Sequence, residues 1–411
     1  MVQLCEDYRL RRRLEQDKRL FKNTLRSSQA GSLIYRSAMN ATIAGSGEVR
    51  RNDGLAVDRR GLLRQLAGLG AVVLAPSLQP SIAAEPAASV GLGLVIYDCG
   101  IRRRWLQQQR SDVDLFEPLT FLMHCHKLGA GGMQASLGVL DADRVRAIRD
   151  YSEQHGLFID AIVNPPKNES DMARFEAEIR TAAEVGVLAA RTVIMPGRRY
   201  EQFNSLKEFR DSAAKARRMM ELAAPIVEKH RVRLAVENHK DQRIDERIAL
   251  YKQLSCEFIG ACVDTGNSFA LLDDPYEAVE ALAPYAFTVH LKDQAVRECE
   301  EGFLLADIPL GQGCFDLKRM VESLRRVKPK IHFLLELITR DPLKVTCLTE
   351  KYWATMPNVP GSDLARTLRI VRQHPATNLQ QVSSLPLEKQ VELEDANVAA
   401  SLQYARGQLA L

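Results

Sequence analysis

The sequence predicts an α/β protein built on a (β/α)8 TIM barrel, with an N-terminal signal region and a C-terminal helical extension. Between residues 90 and 374, short apolar segments alternate with amphipathic helical segments, and the alternation occurs eight times. Strands that are apolar along their whole length are typical of a parallel sheet covered by helices on both faces. Eight such units in about 285 residues fit the usual size of a closed barrel.

A doubly wound open sheet is the alternative fold. The nucleotide-binding signals typical of that fold are a GxGxxG turn after the first strand and a P-loop, and the sequence contains neither. The closed barrel is therefore favoured.

The eight predicted strands are short, mainly apolar segments. In order they are GLGLVIYDCG (91–100), GGMQASL (131–137), LFIDAIVNPP (157–166), VLAARTVIMPG (187–197), VRLAVENH (232–239), FIGACVDTGN (258–267), AFTVHLKD (286–293) and IHFLLELITRDP (331–342). The helical segments that follow them are residues 116–129, 141–156, 170–186, 206–230, 245–255, 274–284, 315–327 and 361–374. The second of these segments has a capping Asp141 or Asp143 at its start and Gly156 at its end.

The chain outside the barrel divides into two further regions. Residues 1–88 are predicted to be a basic region with a twin-arginine signal peptide, residues 89–374 the barrel, and residues 375–411 a helical tail that either packs on the barrel or mediates homo-oligomer contacts.

The signal prediction comes from DRRGLLRQLAGLGAVVLAPSL, in which Arg59 and Arg60 precede about a dozen apolar residues. Small residues around Ala83 and Ala84 offer a cleavage site, and the apolar stretch is too short for stable membrane insertion. Export to the periplasm follows from this interpretation. The alternative is a basic amphipathic helix on a cytoplasmic protein.

The positive charge of the chain belongs to its N-terminus. The net charge of the whole chain is +4. Residues 1–64 contain 14 basic and 7 acidic residues, and the remainder contains 42 basic and 45 acidic residues. A body with no excess of positive charge and no nucleic-acid motif does not predict a nucleic-acid partner.

Four consecutive predicted strands end in side chains that can bind a metal ion. Strands five to eight end at Glu237, Asp264, His290 and Glu336, and the carboxyl ends of barrel strands meet at one rim. Several carboxylates crowded together are costly unless a cation neutralises them. Three carboxylates and one imidazole suit Mn²⁺ or Mg²⁺ best, with Co²⁺ as a further option and Zn²⁺ less suitable.

These strand ends resemble the metal-site segments of the xylose isomerase-like superfamily, often called sugar phosphate isomerases/epimerases. The matching segments are VENH, VDTGN, VHLKD and LELITRDP, and the resemblance extends over residues 91–374. It implies a divalent metal held by Glu237, Asp264, His290 and Glu336. The segments VIYDCGIRRR, CHKLGAGGMQ and LTEKYW further resemble a subgroup that includes oxo-isoapionate decarboxylases. Ketose epimerases commonly carry a histidine shortly after the strand-six aspartate, where this chain has Asn267.

The candidate catalytic residues are Glu237, Glu336, His239 and Lys292. By resemblance to the epimerases, the two glutamates remove and return a proton while they bind the metal. His239 and Lys292 each lie two positions beyond a ligand, so alternation along a strand predicts that they face the centre too. Lys292 is expected to bind a carboxylate or to protonate an intermediate.

Three further residues are candidates for substrate binding. Asn267 either contacts a substrate hydroxyl or caps a helix, Arg340 is placed to meet an anion, and Gln134 lies at the end of the second strand.

The sequence thus favours a divalent-metal-dependent isomerase or epimerase of a sugar or sugar derivative that works through a metal-stabilised enediolate. The first alternative is a metal-dependent decarboxylase of an oxo sugar acid such as 3-oxo-isoapionate. The second is an exported sugar-acid binding protein without catalytic activity.

Overall fold

The computed structural model describes residues 91–195 and 197–411. The predicted signal peptide, with Arg59 and Arg60, lies outside the described residues.

The described residues contain eleven strands and twelve α-helices. The strands are β1 (Gly93–Val95), β2 (Gly132–Ala135), β3 (Phe158–Ile162), β4 (Ala190–Thr192), β5 (Leu234–Glu237), β6 (Ile259–Asp264), β7 (Ala286–Leu291), β8 (Asp293–Cys299), β9 (Gly302–Ile308), β10 (Phe333–Leu335) and β11 (Leu343–Val345). The helices are α1 (Gly100–Gln108), α2 (Pro118–Leu128), α3 (Ala142–His155), α4 (Met172–Val185), α5 (Arg199–Gln202), α6 (Leu206–His230), α7 (Ile244–Leu254), α8 (Pro275–Leu282), α9 (Leu317–Val327), α10 (Glu350–Trp353), α11 (Gly361–Gln373) and α12 (Leu387–Tyr404).

Eight strands form a closed parallel barrel in the order β1-β10-β7-β6-β5-β4-β3-β2. Each of the eight is followed by at least one helix before the next barrel strand begins, so the predicted (β/α)8 barrel is confirmed. The strand residues are buried almost without exception, as expected for a sheet covered on its outer face by helices and filled on its inner face by side chains.

The first strand is shorter than predicted. It ends at Val95, and the chain continues as a 3₁₀ turn (Ile96–Cys99) into α1. The Asp98 carboxylate accepts the Val95 N–H at 2.9 Å, which turns the chain away from the sheet direction. This local hydrogen bond overrides the β propensity of the segment.

A three-stranded antiparallel sheet, in the order β11-β9-β8, lies beside the barrel and was not predicted. Only Lys292 separates β7 from β8, and the β8–β9 hairpin is closed by the pairing of Cys299 with Gly302. The hairpin therefore begins at the carboxyl end of β7, where the predicted metal ligand of that strand lies. The helix predicted from residues 315–327 follows the hairpin as α9.

Helix α12 packs against α1 near the end of the chain. Glu394 accepts the backbone N–H groups of Ile101 and Arg102 at 2.8 and 2.7 Å, and these are two of the unpaired donors in the first turn of α1. Burial raises the pKa of Glu394 to about 7, although these backbone donors oppose the change. The contact joins the C-terminal tail to the barrel.

Among the described helices, none has the length and apolar composition needed to cross a lipid bilayer.

Candidate metal centre

The four predicted ligands come from neighbouring strands of the barrel. Glu237 is the last residue of β5 and Asp264 is the last residue of β6, while His290 lies one residue before the end of β7. Glu336 directly follows β10. Because β5, β6, β7 and β10 are adjacent in the barrel, their carboxyl ends meet at one side of its rim.

These side chains form one compact, buried cluster. Each residue offers a ligand atom, and the four atoms all lie within 4.8 Å of one another. Asp264 is paired in register with His290 across β6 and β7, and the Glu336 N–H donates to Leu291 O at 3.2 Å. The strand register therefore places the ligand atoms side by side.

The imidazole of His290 is oriented as a metal ligand would be. Its Nε2 lies 2.8 Å from Oε1 of Gln134, on β2, while Nδ1 is buried and has no hydrogen-bond partner among the described residues. Nδ1 faces Oε2 of Glu237 at 3.7 Å and Oε2 of Glu336 at 3.5 Å. Nδ1 is thus a buried nitrogen close to two carboxylate oxygens. This set of atoms is suited to bind a divalent cation. Gln134, predicted to bind substrate, contacts this imidazole through Oε1.

Glu237 is also bound by two groups from the barrel. Arg191, in the middle of β4, donates through Nε to Glu237 Oε2 at 2.6 Å and through Nη2 to the same oxygen. Asn267 donates through Nδ2 to Oε1 at 2.9 Å. Burial raises the pKa of Glu237, but Arg191, His290 and His239 together bring it below its ordinary value. Glu237 is therefore ionised and is a weak base.

Lys292 lies inside the cluster. Its Nζ is 2.8 Å from Glu336 Oε2 and 3.2 Å from Asp264 Oδ2. Burial lowers the pKa of Lys292, but these carboxylates and Asp307 raise it well above its ordinary value. The neighbouring Asp293 is not its partner, because that carboxylate accepts the N–H groups of the loop after β9, from Gly311 and Gly313 at 2.9 Å each.

The pKa values of Asp264 and Glu336 are shifted in opposite directions. Burial raises the pKa of Asp264 to about 7, against the opposing effect of Lys292. Burial also raises the pKa of Glu336, but Lys292 and His290 together bring it well below its ordinary value. A bound divalent cation would favour the ionised form of both carboxylates.

The hairpin that was not predicted brings two more charges to the rim. Asp307, on β9, lies 3.9 Å from Lys292 Nζ and 3.2 Å from Arg340 Nη2. Arg340, expected to meet an anion, is thus held by a carboxylate on the hairpin and keeps part of its side chain exposed.

His239 does not continue the alternation of β5. The strand ends at Glu237, so the side-chain direction two residues later is set by the loop, and His239 Nδ1 lies 3.1 Å from the Gly197 carbonyl oxygen. Burial lowers the pKa of His239, while Glu237 opposes the change. The strand alternation from which its orientation was predicted does not extend to this residue.

Four residues at this rim had no role in the sequence-based prediction. Asp98 accepts the N–H of Leu337 at 2.7 Å and so fixes the backbone beside Glu336. The other three residues are Arg191, Asp307 and Lys240. Arg191 was visible as a lone charge within an apolar strand, and Lys240 as the last residue of the polar run after β5. Asp307 carried no such signal.

Comparison with known proteins agrees with this architecture. Residues 122–378 match the family described as the xylose isomerase-like TIM barrel. The chain therefore belongs to the xylose isomerase-like TIM barrel family.

Individual relatives are more distant. The chain is 25% identical over 139 residues to a 3-oxo-isoapionate decarboxylase of Pectobacterium atrosepticum, a match that covers 33% of this chain and 50% of that protein. The match therefore spans about half the length of this curated relative.

Two solved structures are similar at low identity. The D-psicose 3-epimerase of Clostridium cellulolyticum H10 is 12% identical with a TM-score of 0.47, and the alignment covers 71% of this chain and 96% of the epimerase. The 3-keto-D-glucoside 4-epimerase of E. coli is 12% identical with a TM-score of 0.43, and the alignment covers 62% and 94% of the two chains.

Proposed function

We propose that this protein is a divalent-metal-dependent isomerase or epimerase of a sugar or sugar derivative. The observation that carries the proposal is that oxygens of two carboxylates, Glu237 and Glu336, lie 3.7 and 3.5 Å from His290 Nδ1, which has no hydrogen-bond partner among the described residues. Isomerisation and epimerisation both require one group that removes a proton from carbon and another that returns it. Mn²⁺ or Mg²⁺ are the preferred ions for this donor set.

Each residue of the site has its own role in this proposal. The divalent ion would be held by Glu237, Asp264, His290 and Glu336, and when bound it would supply electrophilic stabilisation of negative charge on the substrate oxygens. In this proposal Glu336 removes a proton from the substrate, and Lys292, an ammonium group whose Nζ lies 2.8 Å from Glu336 Oε2, donates a proton to the intermediate. Gln134 and Arg191 keep the imidazole and the Glu237 carboxylate oriented.

A second function, decarboxylation of an oxo sugar acid, is favoured by the ion pair between Arg191 and Glu237. An arginine bound to a carboxylate lowers its basicity, which weakens a two-base mechanism. Loss of CO₂ needs no base to begin, and it needs only a cationic group that binds the carboxylate and a proton donor for the enediolate. The decarboxylase of Pectobacterium atrosepticum is consistent with this alternative.

Product analysis in D₂O distinguishes the two reactions. The Mn²⁺-loaded protein is incubated with a panel of keto sugars and oxo sugar acids, and the products are followed by NMR and by CO₂ release. Isomerisation or epimerisation exchanges a carbon-bound hydrogen with solvent and releases no CO₂. Decarboxylation releases CO₂ and places one deuterium on the carbon that carried the carboxylate. CO₂ release without interconversion of any ketose would replace the first proposal with the second.

The same experiment includes a metal control. Chelator treatment should abolish turnover, and Mn²⁺ or Mg²⁺ should restore it. Full turnover by metal-free protein would exclude both proposals, and binding of sugar acids without any turnover would favour a non-catalytic binding protein.

A further inference from the structure

Lys240 is a buried ammonium group without an anionic partner. Its side chain is 2% exposed, and Nζ donates to Oδ1 of Asn267. Within the described part of the chain, no carboxylate oxygen lies within 4.0 Å of this Nζ. A charge removed from water and matched only by a neutral amide is costly, which is why buried lysines are usually paired.

A second ammonium reaches the same oxygen. Lys292 Nζ lies 3.4 Å from Asn267 Oδ1, so one neutral acceptor stands between two cations. The other end of the amide cannot turn to relieve them, because Asn267 Nδ2 is bound to Glu237 and the Asn267 backbone N–H donates to Asp264 at 2.7 Å. The two lysines therefore converge on a fixed point beside the metal centre.

The charge balance of the rim favours an anion at that point. The three ligand carboxylates together with Asp98 and Asp307 carry at most five negative charges, and Arg191, Lys240, Lys292 and Arg340 carry four positive charges. A divalent cation would leave the loaded site with an excess of at least one positive charge. An anionic ligand would offset this excess in a buried site, where screening by salt is weak.

We infer that Lys240, Asn267 and Lys292 form a carboxylate-binding subsite beside the metal centre, and that the substrate is therefore a sugar acid. The inference rests on the proposed function, since it takes the metal centre as the place where the substrate reacts. A carboxylate would accept hydrogen bonds from the remaining N–H groups of the two ammonium groups, beside the fixed Asn267 amide oxygen. This class of substrate is compatible with isomerisation and with decarboxylation.

A matched pair of ligands tests the subsite directly. 2-Keto-D-gluconate and D-fructose share a six-carbon chain with a ketone at C2, and they differ at C1, where a carboxylate replaces a hydroxymethyl group. Isothermal titration calorimetry on the Mn²⁺-loaded wild type should show at least about tenfold tighter binding of the keto acid, as expected for a charge-assisted contact. D-Fructose 6-phosphate serves as a phosphate arm and should show no such gain.

The variant Lys240→Gln removes the charge but keeps a hydrogen-bond donor toward Asn267. It should weaken binding of the keto acid by about tenfold to a hundredfold and change D-fructose binding by less than about twofold. Lys240→Met provides a second variant that lacks the donor. The control Lys252→Met changes an exposed lysine on α7 and should behave like the wild type.

Titration with Mn²⁺ separates this inference from the proposed function. If Mn²⁺ binds to the wild type and to Lys240→Gln alike, but the keto acid has no advantage over D-fructose or binds undetectably, the subsite is refuted and the metal centre stands. If Mn²⁺ does not bind, the metal proposal fails, and the same ligand titrations on metal-free protein still decide the subsite. A gain by the phosphate ester equal to that of the keto acid would refute the carboxylate assignment.

Discussion

Replacing Arg191 with methionine tests whether the buried charges at the rim are arranged for a cation. Arg191 is 7% exposed and binds Glu237, which is fully buried. In the metal-free protein the variant leaves the Glu237 carboxylate without its principal cationic partner. Removal of one member of a buried ion pair typically costs about 3–5 kcal/mol of unfolding free energy.

From the number of described residues, this loss of unfolding free energy can be expressed as a fall in melting temperature. Unfolding entropy is about 2.1 cal/mol/K per residue, so a unit of roughly 320 residues has about 0.7 kcal/mol/K, and the melting temperature should fall by about 4–7 °C. A divalent cation bound by Glu237 would supply the missing positive charge, and the variant should gain more from metal than the wild type does. Saturating Mn²⁺ should therefore at least halve the loss.

The measurement is thermal unfolding of both proteins in a chelator and in excess Mn²⁺. Arg369→Met, which changes an exposed arginine on α11, is the matched control and should change the melting temperature by less than about 1 °C. A metal-free variant as stable as the wild type would show that the pair contributes nothing. An equal loss with and without Mn²⁺ would show that Glu237 does not bind the ion.

Three further predictions concern the metal centre, the N-terminus and the C-terminal helix. Glu336→Gln should lower turnover by at least about a hundredfold while circular dichroism shows a folded protein, because the proposed function assigns proton transfer and metal binding to this side chain. The control Glu257→Gln changes an exposed residue and should have no effect. A Glu336 variant that fails to fold would indicate a structural role. Changing Arg59 and Arg60 to lysine should retain the precursor in the cytoplasm if the proposed twin-arginine signal operates, and immunoblots of cell fractions that show equal export would refute it. For Glu394, a folded-state pKa of about 7 lies above the ordinary 4.5, so its ionisation destabilises the folded state progressively as the pH rises from about 4.5 to 7. Urea unfolding of the wild type should lose up to about 3 kcal/mol over this range relative to Glu394→Gln, and parallel curves would contradict the assignment.

The sequence by itself determined the barrel and the strand ends that supply the four candidate ligands. Strand and helix periodicities are local properties, and in this barrel most consecutive strands are also neighbours, so chain order predicts spatial order. Residues at the ends of successive strands then converge without any knowledge of packing. This is why Glu237, Asp264, His290 and Glu336 could be grouped before any distance was known.

Local pattern was a poorer guide wherever a strand ended. The alternation that was used for His239 stops at Glu237, and the predicted first strand ends at Val95 and continues as a 3₁₀ turn from Ile96. The β8–β9 hairpin, which supplies Asp307, lies in a segment to which no element was assigned.

Only the tertiary structure decided which charges meet. Arg191 binds Glu237 across 46 positions of sequence, and Lys240 and Lys292 reach one amide oxygen of Asn267 from two different strand ends. Such contacts depend on strand register and on side-chain direction in loops, and neither leaves a periodic signal in the sequence. The physical reason is that Coulomb and hydrogen-bond energies between residues distant in sequence fix each pairing. Inside the buried rim an unmatched charge is costly, so one arrangement is more stable than the others that the sequence permits.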